Sequence, residues 1–465
     1  MIDLKKGHNQ DLFETMSVPK AVRKMAVPTV MGQLIVLFYN LADTFFVGKT
    51  NNPYMVAGAA LILPIFNISA SLACVAGVGG GSLISRLLGT GNHAEAKKVY
   101  SFCVYFSVLL AGLFSLSAGI FMRPLLTVLG AGSDTFAYAR SYALWVIVIG
   151  GIPTILSSVL ANLVRSTGES DKAGFGITIG GIINIVLDPL FMFVIMPAGQ
   201  EIAGVGIATC ISNCISCGYF ILIIRKLGSD SVLKLQPPHC LPERHSVRMI
   251  FSVGVPAAIT TLLFDLDYVV LDRLMAGYSD VALAAVGIVL KAERLPLNVG
   301  VGICQAMVPL VAYNYANKNY KRMHSISRFS LLCGVICAAI SITLYEIFAP
   351  QVIRFFIRDA ETVALGTRFL RARCLATVFM FMSFYHVHLF NGYARGTEAL
   401  LLGVTRWAGL NIPMLFLMNH LFGMYGLVWS QLIADILTVA ISFAVHRRFI
   451  RKNADFTAAL RSAEP

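Results

Sequence analysis

Asp188 lies in GGIINIVLDPLFMF (180–193), inside an apolar run, 174–196, long enough to cross a bilayer. Asn184 is four residues earlier, so on a helix both side chains point to one side. Pro189 removes a backbone donor and loosens the helix beside the carboxylate. A carboxylate at membrane depth costs about 2.5–3.5 kcal/mol on insertion scales and by default marks a functional site. Asp43, in YNLADTFFVG (39–48), is a second acid in an apolar span, and Asn40 three positions before it shares its face. If Asp43 and Asp188 meet in one polar pocket, the pair can hold a proton near neutral pH. With amide and hydroxyl oxygens beside it, the same pair can hold sodium, because hard cations take oxygen ligands. The alternatives are a helix-capping role for Asp43 near the outer interface and a purely structural, hydrogen-bonded role for Asp188.

Other polar groups fall at membrane depth. Thr209, in GVGIATCIS, offers a hydroxyl, although Ser and Thr often only bond back to their own helix. Asn162, in LANLVRSTGES, ends a span and can face the same cavity, with Arg165 and Gly168 reading as a turn. The second half has Asp265, Asp267, Asp272, Lys291, Glu293, Arg294, Glu346 and Asp435 within spans. Lys291 and Glu293 are too close in sequence to share a helix face, so Lys291 is expected to pair with an acid on another helix. With Asn40 and Asn162, both are candidates for lining a substrate cavity.

Several chemistries are excluded. Gly77, Gly79, Gly80 and Gly81 follow no strand and lead to no Gly-Lys-Ser/Thr, so they are not a phosphate loop; they read as helix-packing glycines. There is no His-Glu-x-x-His and no Gly-x-Ser-x-Gly. His386 and His388 point opposite ways on a helix. Cys214 and Cys217 lie within a span and lack the second ligand pair that zinc requires.

The elements that must position these residues are membrane helices. Of 465 residues, 57% are hydrophobic and 13% charged, and mean hydropathy is +0.74. A soluble protein carries about 25% charged residues. Twelve spans are expected, near 22–47, 54–86, 99–121, 135–160, 174–196, 203–225, 249–272, 281–313, 326–348, 362–390, 399–420 and 423–446. The first 20 residues hold no apolar h-region, so the first span is expected to act as an uncleaved insertion signal.

Basic residues alternate between connections. Lys5, Lys6, Lys20, Arg23 and Lys24, Arg86, Lys97 and Lys98, Arg165 and Lys172, Arg225, Lys226, Lys234, Arg244 and Arg248, Lys318 to Arg328, Arg395 and Arg406, and Arg447 to Arg461 fall on one side, against Lys49, Arg123, Arg273, Arg354 and Arg358 on the other. The positive-inside rule then puts both termini in the cytoplasm. The net charge of +13 is thereby a topology signal and not a sign of nucleic-acid binding.

The polar stretch 228–248 reads as a linker. It separates similar halves offset by about 225 residues, with VAGAAL (56–61) matching VALAAV (281–286). The expected organisation is a cytoplasmic segment 1–20, a six-helix lobe 21–227, the linker 228–248, a six-helix lobe 249–447 and a cytoplasmic tail 448–465.

YNLADTFFVG, NIVLDPLF, GVGIAT (204–209), PLVAYNYAN (309–317) and the six-plus-six layout resemble the multidrug and toxic compound extrusion (MATE) family, closest to its DinF-like and MepA-like bacterial branch. The likeness runs from Pro28 to the last span. It implies an all-α polytopic membrane protein with twelve helices in a V-shaped pair of lobes, in a bacterial plasma membrane. It implies export of organic, often cationic drugs against an inward cation bound in the N-terminal lobe. The matching positions are Asp43, Asn184, Asp188 and Thr209, with Asn162 nearby; they would be the ligands if the ion is sodium. A glutamine that some relatives carry before the YN pair is Val36 here, and Asp267 stands where another branch places an acid.

The expected function is therefore a sodium- or proton-coupled multidrug antiporter, not an enzyme. It needs no cofactor or nucleotide, meets small-molecule drugs and membrane lipid, and acts as a monomer. A lipid-linked precursor flippase and a membrane-embedded enzyme are the alternatives. The first would need a strongly cationic cavity, and only Lys291 and Arg294 are deep. The second would need a nucleophile or metal constellation, which the sequence lacks.

Overall fold

A computed structural model describes residues 10–227, 231–453, 456 and 457. Lys5, Lys6 and Arg461, with residues 1–9 and 458–465 of the expected terminal segments, lie outside them. The described chain is helical and long enough to cross a bilayer many times. We label the spans α1 (Val18–Lys49), α2 (Pro53–Gly89), α3 (His93–Ile120), α4 (Ser133–Ile149 and Gly151–Ser166), α5 (Ser170–Ile195) and α6 (Glu201–Lys226). They continue as α7 (Arg244–Ala276), α8 (Asp280–Ala316), α9 (Tyr320–Phe356) and α10 (Ala360–Cys374 and Thr377–Gly392). α4 and α10 bend by 49° and 46° at their breaks.

The long stretch Gly396–Lys452 leaves helical geometry at Gly423, with φ 60° and ψ −145°, a conformation that favours glycine. It thus holds α11 (396–422) and α12 (424–452). The twelve-helix, all-α membrane architecture expected from hydropathy is what folds.

The chain forms two compact units, one of residues 31–258 and one of residues up to Val30 together with those from Ile259 on. The first has a core around Tyr100, Val159, Leu163 and Phe220. The second has one around Met275, Val286, Phe369 and Leu427. Between membrane helices, close packing of small residues carries association in place of the hydrophobic effect. The glycine run of α2 does this: Gly77 and Gly81 face Asn162 of α4, and Gly80 faces Cys103 of α3.

Two segments differ from the division expected from sequence. The stretch 231–248 is not a loose connector. The Glu95 carboxylate of α3 accepts from the Glu243 amide at 2.8 Å and from the Ser246 hydroxyl at 2.7 Å, so the linker belongs with the first unit. The short helix Gln10–Glu14 folds with the second unit. The Arg322 guanidinium donates to the carbonyls of Leu12, Phe13 and Met16, and the Tyr313 hydroxyl donates to Glu14 at 2.7 Å. Arg322 therefore ties down backbone carbonyls instead of standing free in a loop.

Candidate functional site

The geometry around Asp188 starts with two neighbouring glycines. A Cβ at Gly180 would meet the Ser216 Cβ of α6 at 3.1 Å. A Cβ at Gly181 would crowd Ile35 and meet Tyr39 of α1 at 3.3 Å. The two bare positions let α1 and α6 close on α5 from different sides, one turn before Asn184. Pro189 follows Asp188, and the next residues, Phe191–Ile195, form a π-turn, with the Met196 amide bonding the Phe191 carbonyl at 2.9 Å. Wide turns of this kind concentrate at functional sites.

Between these helices the structure brings together all four residues expected to hold the ion. Asn184 Nδ2 donates to Asp188 Oδ1 at 3.2 Å and to Thr209 Oγ1 at 3.4 Å. Asp43 lies within hydrogen-bonding reach of Asp188. Asp188, Asn184 and Thr209 are buried, and Asp43 is half-buried. Three oxygens there, Asp43 Oδ1, Asn184 Oδ1 and Asp188 Oδ2, are buried without a donor. Unprotonated, all three accept only; a proton between the carboxyls would satisfy the two carboxylate oxygens, and a cation could take up all three. Leaving a buried acceptor unmet costs about 1–3 kcal/mol, more for a charged group.

Two tyrosines border this cluster that sequence reasoning missed. Tyr39 and Tyr142 both lie close to the two acids. Tyr39 stands four residues before Asp43, one helical turn, so its face was readable from spacing. Tyr142 is on α4, and nothing in its sequence surroundings signals it.

The other candidates fall elsewhere. Asn40 is exposed and gives its amide to the Val36 carbonyl at 2.8 Å, so it does not join Asp43. Asn162 bonds Ser158 and accepts from Arg165 at 2.9 Å. It is 20 residues beyond Tyr142 on α4, about 30 Å of helix, and so is remote from Asp188. Glu293 does not line a cavity. It is 2% exposed and binds Arg373 at 2.9 Å, because its side of α8 faces the bundle. Lys291 is exposed, and no ion pair to it occurs among the described residues, contrary to the expected pairing.

The second unit has its own buried polar cluster. Arg406 pairs with Asp435 at 2.8 Å, Arg373 also binds Gln431, and Asn411 donates to Asp267 at 2.7 Å. Arg406 was expected as a loop cation; it is instead 2% exposed within a π-turn of α11. Arg165, also expected in a turn, is 3% exposed.

Comparison with known proteins agrees with this architecture. The family model described as MatE matches residues 28–190 and 256–417. The multidrug export protein MepA of Staphylococcus saprophyticus is 28% identical over 425 residues, 91% of this chain and 92% of that protein. MepA of Staphylococcus haemolyticus is 27% identical over 433 residues, 93% and 94% of the two chains. Among solved structures, an outward-facing multidrug resistance MATE family transporter of the MOP superfamily superposes with a TM-score of 0.90 at 20% identity, covering 98% and 99% of the chains. A MOP superfamily transporter from Pyrococcus furiosus gives 0.87 at 20% identity, covering 97% and 100%. With the family model matching more than half of its length, the chain belongs to the MatE family of membrane transporters.

Proposed function

We infer that this protein is a multidrug efflux antiporter that exports organic, often cationic, xenobiotics in exchange for sodium ions or protons. A secondary transporter of this family is not an enzyme. Export of drugs is supported by likeness along nearly the whole chain to proteins named for multidrug export. Ion coupling is supported by one observation above the others: three of the cluster's acceptor oxygens, one each from Asp43, Asn184 and Asp188, are buried with no donor. A sodium ion would find two carboxylate oxygens and one amide oxygen there, with the Thr209 hydroxyl beside them. A proton would sit between the two acids.

Ion and drug need only prefer different conformations of the protein for one to drive the other. Drug entry would be tied to emptying the site, and ion entry to drug release. The basic connections favour a bacterial plasma-membrane orientation with both termini in the cytoplasm. Such exchange requires no cofactor or nucleotide, and a monomer suffices for it.

The test is transport in proteoliposomes. Drug movement driven by an imposed sodium or proton gradient, and lost in Asp188→Asn while that protein still inserts, supports the reading. Full gradient-driven export by Asp188→Asn removes the site, and lipid translocation without drug transport removes the function.

A further inference from the structure

The stretch 234–241 is pinned to α3 and then stands away from it. Ser101 Oγ accepts from the Gln236 amide at 2.7 Å, and Tyr105 donates to the Gln236 carbonyl at 3.0 Å. A turn at 237–240 follows, closed by the Cys240 amide on the Pro237 carbonyl at 2.9 Å. Beneath it lies a cavity of about 210 Å³. Phe102, Phe106 and Leu109 form its floor, and Pro237, Pro238 and Leu241 its roof. The floor is braced, with Phe106 edge-on to Phe251 at 5.2 Å and stacked on Phe102 at 5.8 Å.

Water has little to hold it there. A buried water needs two to four polar partners. The Ser101 hydroxyl is already engaged with the backbone of Lys97, Lys234 and Gln236. An apolar cavity of about 150 Å³ takes up benzene-sized guests, and this one is larger.

Its position says which apolar guest is at hand. Lys98 is the last charged residue of α3 before the apolar run, and Leu109 is eleven residues further. That is about 16 Å of helix, roughly the depth of one leaflet's hydrocarbon. Leu109 and Leu241 are 60% and 65% exposed, so the slot is open on its outer side, from the charged end, where Glu243 meets Glu95, down towards Leu109. Around the charged end stand Lys97 and Lys98, exposed Lys234, and exposed Arg244 and Arg248 at the start of α7. Two acids stand among them: Glu95 is engaged with the Glu243 amide, Ser246 and Lys98, and Glu243 is outnumbered by the five basic side chains.

We propose that this cavity is a binding site for one anionic phospholipid, with an acyl chain under the 237–241 turn and the headgroup among Lys234 and the basic ends of α3 and α7. An apolar slot opening at leaflet depth below a cationic rim is complementary to that molecule, since each nearby basic side chain favours anionic headgroups. The bound chain completes the packing between the linker and α3.

The full-length protein in detergent, equilibrated with equal amounts of phosphatidylglycerol and phosphatidylcholine of the same acyl chains, is examined by native mass spectrometry. The wild type retains one phosphatidylglycerol, preferred at least about fivefold. Leu109→Trp fills the mouth from α3 and loses the retained lipid. Leu241→Trp does so from the linker side, so a folding defect in one variant leaves the other to report. Lys234→Glu keeps one lipid but brings the two lipids near parity. A wild type that retains no lipid overturns the proposal. So do tryptophan variants with unchanged melting that carry the same lipid, or a wild type that does not discriminate between the two headgroups.

Discussion

The Asn184 amide donates to the Asp188 carboxylate at 3.2 Å from the same turn of α5, which leaves the Asn184 amide oxygen and the second Asp188 oxygen buried with no donor. Asp43 Oδ1 is a third buried acceptor in the same cluster that lacks a donor. Orientation of ligands by such hydrogen bonds is what holds an ion site in shape.

Replacing either acid should separate insertion from export. Asp188→Asn and Asp43→Asn are expected to reach the membrane at normal levels and to fail in a drug-accumulation assay. Either variant exporting at wild-type rate would detach that acid from the coupling.

Asn184→Ala removes a ligand oxygen and the donor that orients Asp188. A hydrogen bond to a charged group is worth about 1.5–3 kcal/mol, so apparent ion affinity should fall about 10- to 100-fold. The dependence of efflux on sodium concentration or pH measures this. Thr209→Ala, which loses only the longer 3.4 Å contact, should shift it less.

Gly181→Val places a branched side chain against Ile35 and Tyr39. Overpacking of this kind costs about 1–3 kcal/mol, and here it also pries α1 from α5. Melting in detergent should drop and ion dependence weaken together. Gly112→Ala, where no atom lies within 4 Å, should leave both nearly unchanged.

Arg373→Met strands Glu293 in a buried position. Losing one partner of a buried pair costs about 3–5 kcal/mol, whereas replacing both by apolar groups is often neutral. Thermal unfolding should show a large loss in Arg373→Met and substantial recovery in the double variant with Glu293→Met. Equal damage in both would mean that Gln431 and not the ion pair holds Arg373.

Asp359, exposed ahead of α10, accepts from the Thr362 amide at 2.8 Å and the Thr362 hydroxyl at 2.7 Å, which hold its carboxyl below the usual range. A depressed folded value means the cap is present above the ordinary carboxylate pKa and is lost as pH falls through the folded one. Protection of the Thr362 amide from hydrogen exchange should decline across that acidic window. Asp359→Asn, which caps without titrating, should abolish the pH dependence.

Asp188, Asn184, Asp43 and Thr209 were legible because polar groups in apolar spans are few, and helix periodicity says which of them share a face. Arg406 and Arg165 were not. A count of basic residues near span ends cannot see that a π-turn draws Arg406 inward to Asp435. Glu293 meets Arg373 from 80 residues away, a pairing that local spacing does not encode. Asp267 and Asn411 follow Asp43 and Asn184 by about the repeat offset of 225 residues and bond at 2.7 Å. The second repeat thus also brings an acid of its first span to an amide of its fifth, here bonded directly, whereas Asn184 gives its amide to Asp188. Its surroundings differ, since two buried arginines lie near Asp267.

Residues 10–30 fold with those from Ile259 onward, and 231–248 folds onto α3. The seam that looks natural for expressing the protein as two fragments is therefore the wrong one. A cut within 228–230 would leave the first fragment carrying a helix whose partners, Tyr313 and Arg322, are on the other. The second would begin with a strip that needs Glu95, Ser101 and Tyr105. Complementation between such half-genes would report co-folding of interleaved pieces and not the meeting of two finished lobes.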